Sequence, residues 1–277
     1  MSLRVLALAA AAVWLTAAAP APKTVELYAI DCGVIHEKDA DAYADDGAYK
    51  GVARDLIVPC YLIRHPKGDL LWETGLPQTI YDQPGHKAFG QFTVTHRLTD
   101  QLKELGLAPG DIRYMSVSHS HFDHIGNGGL FAASTWIVDA DERAYAFRPQ
   151  QRADKDEFPR YAALETAKTI LIQGDAPYDV FGDGSAVIYQ APGHTPGHTV
   201  LLVKLKQAGP VLLTGDMWHL AESRAARRVP RFNTDRAQTL KSMDKVEKLA
   251  ADTKARVVRE HVPEDFAALP KFPQPLR

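Results

Sequence analysis

From residue 25 onwards, short apolar runs alternate with polar segments that contain turn-forming residues. The runs are rich in β-branched and aromatic residues and are bounded by Gly, Pro and Asp, a pattern typical of β-strands. Many short strands with a few dispersed helices favour a two-layer β core flanked by helices. The predicted strands are 25–30, 56–64, 70–72, 114–118, 135–138, 169–172, 186–189, 199–204, 211–213 and 255–259.

Three segments are predicted to be helical, namely 97–105, 140–147 and 235–251. In the last of them, Leu240, Met243, Val246 and Leu249 recur at three-residue steps, which places them on one face of a helix. Asp235 stands near its start, where a carboxylate can accept hydrogen bonds from unpaired backbone N–H groups. We therefore expect this helix to pack one apolar face against the core.

Two polar segments, 36–55 and 78–95, are expected to be surface loops. The second carries Tyr81, Phe89 and Phe92. Aromatic side chains in such a loop can cover a pocket, and local packing among themselves is an equally good interpretation.

The first 21 residues have a different composition from the rest of the chain. A single positive residue, Arg4, precedes an unbroken apolar run over 5–15, and small alanines follow. This is the pattern of a secretory signal peptide, and the run is too short to span a bilayer comfortably. We expect residues 1–21 to be cleaved, leaving a periplasmic or secreted domain of residues 22–277 without a stable membrane anchor. The alternative is a buried N-terminal helix.

The charge of the chain bears on its possible partners, and its cysteine content bears on disulfide formation. The net charge of −2, with no long run of one sign, gives no indication of a nucleic-acid partner. The sequence does not indicate an oligomeric state. The two cysteines, Cys32 and Cys60, both lie in strand-like segments. An exported protein can form a disulfide between them, and two buried free thiols fit equally well.

The stretch Ser118-His-Ser-His-Phe-Asp-His124 follows a predicted strand and leads into a glycine-rich turn. Imidazole and carboxylate are suitable ligands for zinc and similar divalent ions. His119 and His121 alternate along extended chain and can point the same way, whereas Asp123 and His124 face a second direction. One loop histidine would be an ordinary polar residue, but this spacing indicates a metal site.

Three further candidate ligands come from distant parts of the chain. His194, Asp216 and His261 each stand at or near the end of a predicted strand, so they can converge on one edge of a sheet. His198 is expected to orient the ligands through outer hydrogen bonds. The sequence thus predicts two metal ions with only His and Asp ligands, a set that suits Zn²⁺ best and also admits manganese, cobalt or iron.

The motifs HSHFDH at 119–124, GHTPGH at 193–198, TGD at 214–216 and the final His261 resemble the metallo-β-lactamase superfamily. The resemblance implies a single-domain αββα sandwich with the metals at one edge between the sheets. It also implies one ion on His119, His121 and His194, a second ion on Asp123, His124 and His261, and Asp216 bridging the two.

Within the superfamily, the bridging Asp216 disfavours true β-lactamases, which lack it. The whole string is most similar to the N-acyl homoserine lactonase family, through IDCG at 30–33, YLIR at 61–64, GDLLW at 68–72 and HFDHIGN at 121–127. That family opens the lactone ring of quorum-sensing signals. Two departures stand out, since Glu73 replaces the usual Asp before Thr-Gly, and His219 replaces a tyrosine three positions after the bridging Asp.

The resemblance implies a catalytic mechanism. Two ions about 3.5–4 Å apart would lower the pKa of a shared water towards about 7, so that hydroxide attacks the ester carbonyl of a small-molecule substrate. Asp123 or Asp216 would carry a proton to the leaving group, and His219 would act on the substrate carbonyl or merely cap a loop. Apolar residues near the ligands, either lining the mouth for an acyl chain or belonging to the core, are Phe122, Ile125, Met217 and Trp218.

Two alternatives remain at the level of sequence. One is a broader metal-dependent esterase, phosphotriesterase or β-lactam-like hydrolase on the same site. The other is a catalytically silent metal-binding protein.

Overall fold

The computed structural model describes residues 19–277, in which thirteen strands form two mixed sheets. Residues 1–18, most of the predicted signal segment, lie outside the described part. The first sheet has the order β4-β5-β1-β2-β3-β6-β7-β8. Its strands are β1 (Glu26–Glu37), β2 (Arg54–Arg64), β3 (Leu70–Trp72), β4 (Lys87–Ala88), β5 (Phe92–Thr93), β6 (Tyr114–Ser116), β7 (Thr135–Asp139) and β8 (Thr169–Ile172).

The second sheet has the order β13-β12-β11-β10-β9 and carries the C-terminal half of the chain. Its strands are β9 (Tyr178–Asp179), β10 (Ala186–Gln190), β11 (Thr199–Leu205), β12 (Gly209–Leu213) and β13 (Arg256–Val258). Parallel pairing joins β3, β6, β7 and β8 in the first sheet and β12 with β13 in the second. The helices are α1 (Leu98–Glu104), α2 (Phe122–Ile125), α3 (Ala140–Ala146), α4 (Pro149–Ala153), α5 (Ser223–Ala226), α6 (Arg236–Thr253) and α7 (Pro263–Ala267).

The two sheets pack face to face, because their strands alternate apolar side chains between two buried faces. Tyr61 and Ile63 of β2 meet Leu201 and Val203 of β11 in the core between the sheets. The intervening residues point outwards. Leu62 packs in a cluster with α1 and α3, and Leu202 packs in a cluster with α6. This arrangement is the predicted αββα sandwich in a single domain. Among residues 19–277, no helix combines the length and apolarity needed to cross a membrane.

The long helix α6 is confirmed close to its predicted bounds. Asp235 caps it, accepting a hydrogen bond from the Gln238 N–H at 2.9 Å. Met243 and Val246 are buried against the second sheet, and Leu240 and Leu249 are partly buried beside them. The helix ends at Thr253, and the following residue, Lys254, has a φ of 53° in the left-handed region.

The two predicted surface loops are more structured than their composition indicates. Segment 36–55 contains a 3₁₀ turn at Ala40–Tyr43, and β1 and β2 extend into its ends. Segment 78–95 contains two 3₁₀ turns together with β4 and β5. Strands of two residues carry too little periodicity to be recognised from sequence.

Cys32 and Cys60 form a disulfide that links β1 to β2, so the interpretation as two free thiols is wrong. Gly75 lies directly against it, since a Cβ on Gly75 would stand 2.2 Å from the Cβ of Cys32. Its φ of 73° also favours glycine. The Glu73-Thr74-Gly75 turn therefore packs against the disulfide through Gly75, and it lies next to the polar site described below.

Candidate metal centre

All seven predicted ligands lie just beyond strand ends at one edge of the sandwich. His119, His121, Asp123 and His124 follow β6, and the last two are on the short helix α2. His194, Asp216 and His261 follow β10, β12 and β13, respectively. β10, β12 and β13 run in the same direction, so their carboxyl ends lie at one edge of the second sheet. The loop after β6 meets them there, and residues about 140 positions apart in the chain come together.

The first group of donor atoms brings three imidazoles together around one point. His119 Nε2 lies 2.8 Å from His121 Nδ1, and His194 Nε2 lies 3.2 Å and 3.1 Å from these two atoms. Asp216 Oδ2 lies 3.2 Å from His194 Nε2 and 3.5 Å from His119 Nε2. These four residues form one cluster of metal-binding type.

The second group of donor atoms lies around Oδ1, the other oxygen of the Asp216 carboxylate. Asp216 Oδ1 is 3.1 Å from His124 Nε2 and 2.9 Å from His261 Nε2. Asp123 Oδ2 stands 3.5 Å from His261 Nε2 and 3.7 Å from His124 Nε2. The two oxygens of Asp216 therefore face the two groups separately, which is the arrangement expected of a bridging carboxylate.

The chemistry of these donors fits two divalent cations. Three ring nitrogens in mutual contact cannot all be joined by hydrogen bonds, because each neutral imidazole has only one N–H. His124 Nε2 and Asp216 Oδ1 are buried and have no hydrogen-bond partner among residues 19–277. Ligands of a tetrahedral ion at about 2.0–2.1 Å lie roughly 3.3 Å apart, close to the spacings found here. Cations between the atoms would satisfy all of them.

Burial and neighbouring charges set the protonation of the cluster. Burial lowers the pKa of His119 and His121 well below the usual value, which keeps both imidazoles neutral as metal binding requires. Burial opposes the charge on His124 too, but the carboxylates of Asp216, Asp123 and Glu73 outweigh it and raise its pKa well above the usual value. Burial also opposes ionisation of Asp216, but His219, His124 and His261 hold its pKa well below the usual range.

Two buried residues orient the ligands from behind. His198 accepts a hydrogen bond from the Asp216 N–H at 3.1 Å and donates from Nδ1 to the Ala191 carbonyl at 3.1 Å. Both of its nitrogens are thus in use, so His198 positions the site, as predicted, without joining either cluster. Glu73 accepts a hydrogen bond from the Ser118 N–H at 3.0 Å, and its other oxygen lies 3.2 Å from His124 Nδ1.

Sequence reasoning missed the role of Glu142 on α3. Its buried carboxylate accepts hydrogen bonds from the Ser120 N–H and hydroxyl at 2.7 Å and 2.6 Å. It also accepts from the Thr195 hydroxyl at 2.6 Å and the Gly197 N–H at 3.2 Å. Glu142 thereby joins the loop that carries His119 and His121 to the loop that carries His194. No local pattern distinguished it from other helix glutamates.

An apolar pocket of about 220 Å³ opens onto the cluster. Its apolar walls are Ile35, Tyr43, Phe122 and Phe232, and its polar floor includes Asp123, Asp216, His219 and His261. Of the apolar residues predicted at the mouth, Phe122 lines it. Ile125, Met217 and Trp218 are instead buried in the hydrophobic clusters between each sheet and the helices on its outer face.

The aromatic residues of segment 78–95 divide between the two interpretations. Phe92 packs edge-on against Phe122, with ring centroids 5.3 Å apart, and so supports the pocket wall from behind. Tyr81 stacks locally on His86.

His219 lies in the pocket floor, 2% exposed, and its Nε2 is 2.9 Å from Asp216 Oδ2.

An αββα sandwich with two His/Asp clusters joined by one aspartate defines a class of metal-dependent hydrolases. The family model of the metallo-beta-lactamase superfamily matches residues 53–258, and the chain belongs to that superfamily.

Several individual proteins are similar to this chain over most of its length. The chain is 31% identical to the N-acyl homoserine lactonase AttM of Rhizobium radiobacter, over 90% of this chain and 98% of that protein. It is 29% identical to the N-acyl homoserine lactonase AiiA of Bacillus thuringiensis subsp. kurstaki, over 81% and 88% of the two chains. A solved N-acyl homoserine lactone hydrolase, with the product N-hexanoyl-L-homoserine at its catalytic metal center, matches with a TM-score of 0.75 and 26% identity. That match covers 94% of this chain and 100% of the other.

Proposed function

We propose that this protein is a metal-dependent hydrolase that opens the lactone ring of N-acyl homoserine lactones and so silences these signals. The observation that carries the proposal is the pair of donor clusters that share Asp216 beneath an apolar pocket. Relatives with the same fold and extensive coverage are N-acyl homoserine lactonases. The donor set contains only imidazole and carboxylate, and we propose zinc as the native metal.

The pocket suits a substrate with a small polar head and an apolar tail. Asp123, Asp216, His219 and His261 form a polar floor where a lactone ring can lie. Ile35, Tyr43, Phe122 and Phe232 offer apolar contacts to an acyl chain. A mostly apolar pocket with a few convergent polar groups fits an acylated lactone better than a charged phosphate ester.

The two ions would supply Lewis acidity towards the ester carbonyl and a water of lowered pKa as the nucleophile. The chain's own residues keep the donors in place and move the proton. Both oxygens of Asp216 face ligand clusters, whereas Asp123 faces them through Oδ2. Asp123 lines the pocket. We therefore assign to Asp123 Oδ1 the transfer of a proton from the attacking water to the alkoxide that leaves when the ring opens.

Export of the mature protein is part of the proposal. Residues 1–21 have the pattern of a signal peptide, and the Cys32–Cys60 disulfide is typical of an oxidising compartment. Expression of the full chain in a Gram-negative host tests this part. Recovery in the periplasm with a new N-terminus near residue 22 supports export, whereas uncleaved chain in the cytosol refutes it.

Activity is tested with purified zinc-loaded protein and N-hexanoyl and N-decanoyl homoserine lactones, by following acid release at constant pH. We expect ring opening that stops on chelation and returns when zinc is added back. D216N should lose more than about a hundredfold in kcat/KM because neither cluster then has its full bridging carboxylate. H96A is the matched control, since His96 is exposed and belongs to neither cluster.

A panel of aryl esters, phosphotriesters and a β-lactam separates this proposal from a broader hydrolase. Lactone turnover far above the others supports the proposal. Preference for any other class, with lactones untouched, refutes the lactone assignment. Metal-loaded protein that turns over nothing in the panel would instead favour a catalytically silent metal-binding protein.

A further inference from the structure

His219 stands closer to the bridging aspartate than most of the predicted ligands do. Its Nε2 is 2.9 Å from Asp216 Oδ2, as close as His261 Nε2 is to Asp216 Oδ1. His194 and His119 lie 3.2 Å and 3.5 Å from Asp216. His219, Asp216 and His261 also form a cluster of metal-binding type in their own right, with all three donor atoms within 4.8 Å of one another.

The contact between His219 and Asp216 does not have hydrogen-bond geometry. Nε2 of His219 is buried and, among residues 19–277, has no hydrogen-bond partner. The same is true of His124 Nε2, which also lies close to Asp216. A buried imidazole nitrogen without a partner is costly in free energy unless a cation or water occupies the position at which it points.

The surroundings hold the His219 ring in this position. Tyr43 and Phe232 pack against it with ring centroids 5.3 Å and 5.5 Å away. The ring of His261 is nearly parallel to it at 5.6 Å. His219 is therefore fixed between the apolar wall of the pocket and the polar cluster, with its free nitrogen on the side of the cluster.

We propose that His219 is an eighth metal ligand, which binds through Nε2 one of the two ions that Asp216 bridges. This inference rests on the proposed dinuclear centre and deepens it. Each ion already has four protein ligands, counting the shared Asp216, so the ion that His219 joins would then have five. Structural zinc is usually four-coordinate, whereas manganese, iron and cobalt accept five or six ligands readily. His219 thus makes this position more tolerant of metals other than zinc.

Metal binding itself provides the test, independent of turnover. Metal-free wild-type protein, H219F, H219Q and H96F are titrated with Zn²⁺ against a chromophoric chelator and with Co²⁺ in the visible range. H219F keeps an aromatic ring of similar size without a donor nitrogen, and H219Q keeps a polar side chain if the phenylalanine variant fails to fold. H96F is the matched control, because it makes the same substitution at an exposed histidine that belongs to neither cluster.

We expect H96F to bind two ions with the same affinities as wild type. H219F and H219Q should release one of the two ions at least about tenfold more readily, and their Co²⁺ bands should intensify as the coordination number falls. Two ions bound by either folded variant with wild-type affinity and an unchanged Co²⁺ spectrum would overturn the assignment of His219. If wild-type protein binds no pair of divalent ions at all, the proposed function itself fails.

Discussion

Nε2 of His198 accepts a hydrogen bond from the backbone N–H of Asp216 at 3.1 Å, although His198 precedes β11 and Asp216 follows β12. The tautomer follows, because Nδ1 must then donate to the Ala191 carbonyl. Burial lowers the pKa of His198 to about 3, so the imidazole remains neutral and able to accept this bond. A histidine that belongs to neither ligand cluster thus sets the orientation of the aspartate that joins them.

Replacement of His198 by phenylalanine should therefore weaken metal binding without removing a ligand. The N–H of Asp216 would lose its acceptor, and we expect a loss of about 10–100-fold in affinity for the metals. Chelator competition measures this. H65F is the control, because His65 is buried and stacked on Phe181 far from the clusters. Equal affinities of H198F and wild type would contradict the role of His198.

Glu142 should prove as important as some of the ligands. E142A leaves the Ser120 and Gly197 N–H groups without their acceptor and unlinks two ligand loops. We expect metal affinity to fall about 10–100-fold, and kcat/KM to fall with it. E165A is the control, because Glu165 pairs with Arg152 at the surface. This variant should leave both metal affinity and kcat/KM near the wild-type values. Unchanged metal affinity in folded E142A would show that the loops hold their positions unaided.

Removal of the metals should lower thermal stability. Without cations, several imidazoles and carboxylates remain buried in mutual contact without partners. Ligands that bind only the folded state stabilise by about 3–4 kcal/mol at a hundred to a thousand times Kd. For a domain of this size we therefore expect Tm to fall by about 5–15 °C on chelation. Calorimetry with and without chelator measures the shift, and equal Tm values would contradict a metal-stabilised site.

Loss of the disulfide should destabilise the fold. C32S/C60S frees a loop of 28 residues in the unfolded chain. We expect the free energy of unfolding to fall by about 2–4 kcal/mol in urea titration. Reduction of the wild type should have the same effect, while reduction of the double variant should change nothing. A double variant as stable as oxidised wild type would argue against a structural bond.

Protonation of Asp139 should make the free energy of unfolding depend on pH. Burial raises the pKa of this carboxyl to about 6. Between pH 4 and 6 the unfolded chain is ionised there while the folded chain is not, so this group makes stability fall as pH rises. D139N should remove that slope and be more stable than wild type by about 1–3 kcal/mol at pH 7. Its amide oxygen can still accept the hydrogen bond from the Asp141 N–H.

Urea titrations of metal-free protein at pH 4, 5.5 and 7 measure this effect, and D183N provides the contrast. Ser185, His65 and Lys67 hold the pKa of Asp183 at about 2. Its stabilising contribution is therefore complete above about pH 4 and is lost only as pH falls through about 2. D183N should be less stable than wild type by a constant amount over pH 4–7. A difference between D139N and wild type that does not grow with pH would refute the assignment to Asp139.

The sequence by itself determined the candidate ligands and the fold class. His119, His121, Asp123 and His124 lie within six positions, so local spacing alone indicates a metal site. His194, Asp216 and His261 follow apolar strands that were visible as runs, and strand ends meet at an edge. The strand-like apolar runs and the amphipathic helix 235–251 indicated a two-layer β core flanked by helices, and the αββα sandwich itself was implied by the resemblance of the metal-binding motifs.

Only the tertiary structure decided which distant residues meet. The disulfide depends on the register of β1 against β2. The four hydrogen bonds of Glu142, and the positions of Tyr43 and Phe232 in the pocket wall, depend on loops that local propensity does not position. The two predicted surface loops are ordered by contacts with residues far along the chain, such as Arg231 on Asp41. Periodicity reports which face of an element is buried, and it carries no information about the partner that covers that face.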